Sequence, residues 1–128
     1  MRALVEATQA GYLKAHIALV VSNKPQAAGL DFAISHQIPT AIVDHRRYED
    51  RESFEQALDE VLRQSMVDVI CLAGFMRVLT PWFITRWQGR LINIHPALLP
   101  SYKGLHTHER ALADGVKIHG CTVHHVVS

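Results

Sequence analysis

Apolar residues recur along this chain with two different spacings, and the two spacings alternate from one end to the other. Spacing of three and four residues predicts helices, whereas short apolar runs rich in Val and Ile predict buried strands. Helices are predicted over residues 2–10, 25–37, 51–64, 80–89 and 106–113, and strands over 16–21, 38–43, 67–73, 91–95 and 118–127. The helix over 51–64 has the clearest pattern, with an apolar face formed by Phe54, Ala57, Leu58, Val61 and Leu62.

Helices and strands that alternate in this way are typical of an α/β fold with a mostly parallel sheet and right-handed crossovers. Such sheets bind ligands at the carboxyl ends of their strands. Three segments that follow predicted strands are therefore expected at one edge of the sheet: residues 44–51, 74–79 and 93–104.

Composition limits the classes of function. The chain has 128 residues, the size of one domain, and 48% of them are hydrophobic, which suffices for a core. A formal charge of +1 gives no reason to expect binding to nucleic acid or to a membrane surface. No apolar run approaches the roughly 20 residues of a membrane span, so a cytoplasmic protein is expected. Cys71 and Cys121 lie in apolar, strand-like sequence and are predicted to be buried free thiols.

The predicted strand over 91–95 carries two polar residues, Asn93 and His95, that a buried strand normally excludes. Residues two apart in a strand face the same side, so the amide and the imidazole should project together. Pro96 favours an extended backbone at His95. An amide beside an imidazole can stabilise a carbonyl oxygen that becomes an anion, although a histidine that is merely hydrogen-bonded in a turn explains the pattern equally well.

Two other positions have both a structural and a functional interpretation. Gly74 commonly just ends a strand, and Phe75 and Met76 commonly pack in a core, but after a strand they can also line a flat heteroaromatic ligand. Arg51 can simply be solvated at the start of its helix, or it can bind a carboxylate or a phosphate.

The nine histidines do not predict a metal site. His106 and His108 are two apart at a helix start and point in different directions, and His124 and His125 lie on opposite faces of a strand, so three or four ligands do not converge. No glycine-rich phosphate loop, nucleophile elbow or Walker sequence occurs. Because a doubly wound sheet starts with a strand and such a loop, the chain is expected to begin one strand late.

Several segments together resemble the phosphoribosylglycinamide formyltransferase family: CLAGFMRVL at 71–79, LINIHPALLPSY at 91–102, Gly104, and GCTVH at 120–124. The resemblance implies a Rossmann-like, doubly wound formyltransferase fold. It also implies transfer of a formyl group from 10-formyltetrahydrofolate to the amino group of glycinamide ribonucleotide in purine biosynthesis. The implied partners are these small molecules, with no nucleic acid, membrane or metal.

The resemblance also implies roles for particular residues. Asn93 and His95 match the catalytic pair of the family. The segment from Met76 to Leu79 matches its folate-binding segment, and Arg51 matches a ligand-binding arginine. The implied cofactor-binding residues are Arg51, Met76, Arg77, Val78, Leu79 and Asn93.

The family pattern further includes a first strand with a Gly-Ser-Asn-type phosphate loop, and a catalytic aspartate after the last strand seen here. Residues 1–128 are therefore expected to be a single catalytic domain that is truncated at both ends and has an incomplete sheet. The absent strand would lie in the middle of the sheet, so the isolated chain is expected to be marginally stable with little transferase activity. The sequence does not indicate whether the protein is a monomer or an oligomer.

Three alternatives stay open. A formyltetrahydrofolate deformylase would hydrolyse the same cofactor, but its pattern usually has a second histidine where Pro96 stands. A methionyl-tRNA formyltransferase would need a further domain and a basic surface, which a charge of +1 does not provide. The chain could also be a non-catalytic fragment that keeps only a folate-facing surface.

Overall fold

The computed structural model describes residues 1–127, which form two compact units, the first covering Met1–Asp68 and the second beginning at Val69. The first unit contains a two-stranded parallel sheet with three α-helices. Its elements are α1 (Arg2–Gln9), β1 (Val20–Ser22), α2 (Ala28–Ser35), β2 (Thr40–Ile42), a 3-10 turn (His45–Arg47) and α3 (Arg51–Gln64). Strands β1 and β2 are paired in register from Val20 opposite Thr40 to Ser22 opposite Ile42. The buried apolar residues include Val5, Leu30, Ala33, Phe54 and Leu62.

The second unit contains a three-stranded sheet in the order β3-β4-β5. Its elements are β3 (Ile70–Leu72), α4 (Pro81–Arg86), β4 (Leu91–His95), α5 (Thr107–Ala113) and β5 (Thr122–His125). Strand β4 lies in the middle, parallel to β3 and antiparallel to β5. The buried side chains of this unit include Leu79, Phe83, Trp87 and Leu91, and the rings of Phe83 and Trp87 are 6.4 Å apart between centroids. The prediction of an α/β fold with mostly parallel strand pairs is confirmed.

The predicted helices are all present, and α3 begins and ends at the predicted residues. The second helix was predicted to begin at residue 25, which is wrong, because helix α2 begins at Ala28. The Asn23 side chain, which precedes this helix, contacts the ring of His45, with Nδ2 and Nδ1 3.2 Å apart. In helix α2, Leu30 and Ala33 are buried, whereas Ile34 is exposed.

The strands are shorter than predicted. Strands β1, β2 and β3 have three residues each, and β5 covers only Thr122–His125 of the predicted 118–127. A strand is defined by hydrogen bonds to a neighbouring strand, and apolar character alone does not supply that neighbour. Within residues 1–127, β1 and β3 are each paired on one side only.

Both cysteines are free, as predicted, but the prediction that they are buried is wrong, because both are exposed. Cys71 lies in the middle of β3 and opposite Ile92 of β4. The same face of the sheet carries Ile94 and Val123, which are 45% and 64% exposed. The described residues therefore cover little of this face of the sheet. The apolar sequence around Cys71 predicted a strand correctly, but it did not determine whether the side chain is buried.

Asp50 caps the start of α3, because its Oδ1 accepts a hydrogen bond of 2.7 Å from the backbone N–H of Ser53. That hydrogen bond lowers the pKa of the Asp50 carboxyl group below its ordinary value. A lowered pKa in the folded state means that the cap stabilises the fold fully above the ordinary aspartate pKa. The stabilisation is lost as the pH falls through the lowered value.

We therefore expect Asp50→Ala to lower the melting temperature at neutral pH, and the gap from the wild type to shrink as the pH falls below about 4. Thermal unfolding followed by circular dichroism across this pH range measures the gap. Asp50→Asn is the matched control, because it keeps a capping oxygen that does not titrate. A gap for Asp50→Ala that stays constant from neutral to acid pH would contradict the ionic cap.

Within residues 1–127, no helix is both long and apolar enough to cross a membrane.

Candidate functional site

The site is built on β4, whose alternation places Leu91, Asn93 and His95 on one face of the sheet. Leu91 is buried and anchors the strand, while Asn93 and His95 are half-buried towards its carboxyl end. The prediction that these two polar side chains lie on the same face is confirmed by the strand register. Both side chains are partly shielded from bulk water and partly accessible to a ligand.

Asn93 lies opposite His124 of the antiparallel strand β5, with the amide Nδ2 3.4 Å from Nε2 of His124. Nδ1 of His124 is 3.0 Å from the carbonyl oxygen of His125, which can only accept a hydrogen bond. Nδ1 therefore carries the proton in the neutral ring, and Nε2 accepts from the amide. This contact orients Asn93 and leaves its second N–H for another acceptor.

Sequence reasoning missed His124 as a partner of Asn93. It considered His124 only as a metal ligand and as part of a family motif. The signal that identifies it is the register of β4 and β5, since residues directly opposite each other share a face of the sheet. That register depends on the antiparallel direction of β5, which the residue pattern did not indicate.

His95 is held by the loop that follows its own strand. Its Nε2 lies 2.9 Å from the carbonyl oxygen of Tyr102. A carbonyl only accepts, so Nε2 carries a hydrogen in every protonation state that keeps this bond. Nδ1 is therefore the ring nitrogen that can gain or lose a proton at this site.

The loop after β4 is fixed at its base by two threonines. Oγ1 of Thr107 donates to the carbonyl of Pro96 at 2.6 Å, and Oγ1 of Thr122 donates to the carbonyl of Ala97 at 2.7 Å. The hydroxyl of Thr122 also accepts from the backbone N–H of Leu99 at 3.0 Å. These bonds tie the loop to the start of α5 and to β5, so the chain leaves His95 in a defined direction.

The segment from Met76 to Leu79 follows β3, the parallel neighbour of β4. Leu72 at the end of β3 is in register with Asn93, so this segment leaves the sheet at the same end as His95. Met76 and Val78 are 70% and 73% exposed, whereas Leu79 is 7% exposed. The buried Leu79 anchors the segment while two apolar side chains face solvent, and Arg77 between them is half-buried.

The second unit thus brings together Asn93, His95 and the segment from Met76 to Leu79. Arg51 belongs to the first unit, where it is exposed at the first position of α3. In the same unit, Asp44 is buried and receives hydrogen bonds from Nε (2.9 Å) and Nη2 (2.7 Å) of Arg46. These bonds hold the pKa of the Asp44 carboxyl group well below its usual range.

The other histidines make separate contacts. Nδ1 of His106 is 2.8 Å from Oε2 of Glu109, and Nδ1 of His108 is 3.0 Å from Nε2 of His119. Within residues 1–127, no group of three or more His, Cys, Asp or Glu side chains is placed to hold a metal ion. The rings of His106, His108 and His119 are thus engaged in pairwise contacts.

Comparison with known proteins gives one consistent result. Residues 1–128 match the model of the family described as formyl transferase. The chain is 48% identical over 126 residues to the trifunctional purine biosynthetic protein adenosine-3 of Bos taurus. A solved phosphoribosylglycinamide formyltransferase of Coxiella burnetii, in complex with CHES, is 45% identical with a TM-score of 0.93. A solved formyltetrahydrofolate deformylase of Pseudomonas syringae is 29% identical with a TM-score of 0.85.

These relatives are longer than the chain. The matches cover 97–98% of the chain but 12% of the bovine protein, 59% of the Coxiella chain and 41% of the Pseudomonas chain. The TM-score of 0.93 shows that the chain has the fold of the corresponding part of a formyltransferase structure.

Proposed function

This chain belongs to the formyl transferase family, and on that premise we propose that its full-length protein transfers a formyl group from 10-formyltetrahydrofolate to the amine of glycinamide ribonucleotide. The observation that carries the proposal is the pairing of Asn93 and His95 on one face of β4, beside the segment from Met76 to Leu79. Higher identity to a phosphoribosylglycinamide formyltransferase than to a deformylase supports the choice of acceptor.

The reaction follows from these two side chains. The amine attacks the formyl carbon, and the formyl oxygen becomes the oxyanion of a tetrahedral intermediate. The second N–H of Asn93 and a protonated His95 stabilise that oxyanion. The intermediate then breaks its bond to the folate nitrogen, which takes up a proton, and the attacking amine loses one. Nδ1 of His95 is the atom that assists this proton transfer, because Nε2 is held by the Tyr102 carbonyl.

The segment from Met76 to Leu79 is the proposed contact for the folate. A pteridine ring is flat and largely apolar on its faces, and Met76 and Val78 offer exposed apolar side chains in the segment that leaves the sheet at the same end as His95. The buried Leu79 anchors the backbone of the segment, and Arg77 lies between Met76 and Val78 in sequence. Asn93, near the carboxyl end of β4, is the further residue proposed to contact the folate. We assign Arg51 to an anionic group of a ligand, since a guanidinium binds carboxylate or phosphate with two parallel hydrogen bonds.

Val78→Ser tests the folate contact. Covering a Val side chain contributes about 1.5–3 kcal/mol, so we expect the KM for 10-formyltetrahydrofolate to rise about tenfold with kcat little changed. Steady-state kinetics with varied donor concentration measure this change. Ile118→Ser is the control, because Ile118 is 79% exposed in the same unit and lies outside the site. An equal KM in both variants would rule out Val78 as a folate contact.

The proposal concerns the protein at its full natural length, with residues 1–128 as part of its catalytic domain and with a cytoplasmic location. The alternative with a supporting observation is formyltetrahydrofolate deformylase, because the structure of one such enzyme has a similar fold. A deformylase transfers the formyl group to water, whereas the proposed enzyme transfers it to the amine of glycinamide ribonucleotide. Pro96, where that enzyme usually has a second histidine, favours the transferase.

The acceptor decides between the two. The full-length protein is incubated with 10-formyltetrahydrofolate in the presence and in the absence of glycinamide ribonucleotide, and formylated ribonucleotide and free formate are quantified. We expect formylated ribonucleotide in one-to-one ratio with tetrahydrofolate, and very little formate. Formate as the main product under both conditions would establish the deformylase. If neither formylated ribonucleotide nor formate is formed, the protein has a non-catalytic role.

A further inference from the structure

The loop that holds His95 contains a residue in an unfavourable conformation. Tyr102 has φ of +53°, in the left-handed region that a bulky side chain rarely occupies. Such a conformation costs energy and persists only where neighbouring contacts enforce it, and residues of this kind cluster at functional sites. The carbonyl of this same residue accepts the hydrogen bond from Nε2 of His95.

Two side chains, Arg110 of α5 and Asp114 just after it, contact Tyr102 and hold its conformation. Its hydroxyl donates to Oδ2 of Asp114 at 3.0 Å, just after α5 ends. The guanidinium of Arg110 lies over the Tyr102 ring, 5.4 Å from its centroid. Nη1 of Arg110 also donates to the carbonyl of Lys103 at 2.7 Å. Asp114 and Arg110 thus hold both the ring of Tyr102 and the backbone next to it.

We propose that Arg110 and Asp114 are positioning residues that act through Tyr102: they keep its carbonyl on Nε2 of His95 and so fix which ring nitrogen exchanges the proton. We name Tyr102, Arg110 and Asp114 the Tyr102 cluster. Without it, Tyr102 relaxes to a negative φ, its carbonyl turns away, and neutral His95 can place its hydrogen on either nitrogen. The catalytic consequence of this inference rests on the proposed function, whereas the effect on the His95 ring does not.

A purely structural role for the cluster predicts something different. It would stabilise the loop and α5 without any specific effect on the tautomer of His95.

The burial that raises the pKa of Tyr102, together with its bond to Asp114, keeps the phenol protonated and therefore able to donate.

The test uses full-length protein with ¹⁵N-labelled histidine at a pH where His95 is neutral. Two-dimensional NMR distinguishes the two ring tautomers, and the His95 signals are assigned by their loss in His95→Gln. We expect a single tautomer with hydrogen on Nε2 in the wild type, and a mixture in Asp114→Ala and in Arg110→Ala. Asp114→Asn, which keeps an acceptor oxygen, should restore the wild-type spectrum.

Activity gives a second readout. Loss of the hydrogen bond between Tyr102 and Asp114 should lower kcat about five- to tenfold in Asp114→Ala, with the KM values unchanged. Asp114→Asn should recover most of the wild-type kcat. Leu112→Ala is the control, since Leu112 lies on the same helix and is 81% exposed. If Asp114→Ala does not fold, Tyr102→Phe removes only the hydroxyl and should shift the tautomers in the same direction.

The outcomes separate the two proposals. A pure Nε2-protonated ring in Asp114→Ala, Arg110→Ala and Tyr102→Phe would overturn the positioning role, even if formyl transfer occurs. A tautomer mixture in these variants, together with no formyl transfer by the wild type, would support the positioning role and reject the proposed function.

Discussion

His95→Gln is expected to lower the kcat of formyl transfer by about 10²–10⁴-fold in the full-length protein. Glutamine keeps a polar side chain of similar reach and can still donate to the Tyr102 carbonyl, but it cannot hold or release a proton. The KM values should change little, because the lost interaction belongs to the transition state. Steady-state kinetics with both substrates measure the effect.

His125→Gln is the matched control for this prediction. His125 lies on β5, the antiparallel neighbour of β4, where it is exposed and on the opposite face of the sheet from His95. We expect its kcat to stay at the wild-type value. A His95→Gln variant within a few-fold of the wild type would exclude His95 as the group that transfers the proton.

Asn93→Ala is expected to lower kcat by about 10²–10³-fold, the usual effect of removing one oxyanion donor. The amide is preorganised by its contact with His124, so the water that would replace it does not hold the oxyanion equally well. The measurement is again kcat and KM for both substrates, combined with circular dichroism to establish that the variant is folded.

Asn93→Asp sharpens this second prediction. Aspartate has the shape of asparagine but, when ionised, only accepts hydrogen bonds, and its charge would repel an oxyanion. Its loss of kcat should therefore equal or exceed that of Asn93→Ala. An Asn93→Asp variant that retains most activity would show that Asn93 contributes packing and no hydrogen bond to the reacting oxygen.

Features that depend on local periodicity could be predicted from the sequence. Helix α3 was predicted to the residue from the spacing of its apolar residues alone. The shared face of Asn93 and His95 follows from the period of two in a strand. The place of the segment from Met76 to Leu79 follows from the rule that parallel strands present their carboxyl ends at one edge.

Features that depend on contacts between distant residues could not be predicted. The lengths of β1 and β3 are set by which strands pair, and apolar composition does not specify the partner. His124 reaches Asn93 across 31 positions through an antiparallel register. Tyr102 meets Asp114 across 12 positions, and its positive φ has no signal in a tyrosine side chain. The resemblance to a known family supplied the reaction, but not these supporting contacts.

In the proposed mechanism, Asn93 and His95 act on one formyl group as a single catalytic unit. The most direct measurement is a double-mutant cycle of formyl transfer rates in the full-length protein with Asn93→Ala, His95→Gln and the double variant. Groups that serve the same transition state have non-additive effects, so the double variant should be about as slow as the slower single variant. Losses that simply multiply in the double variant would contradict the claim.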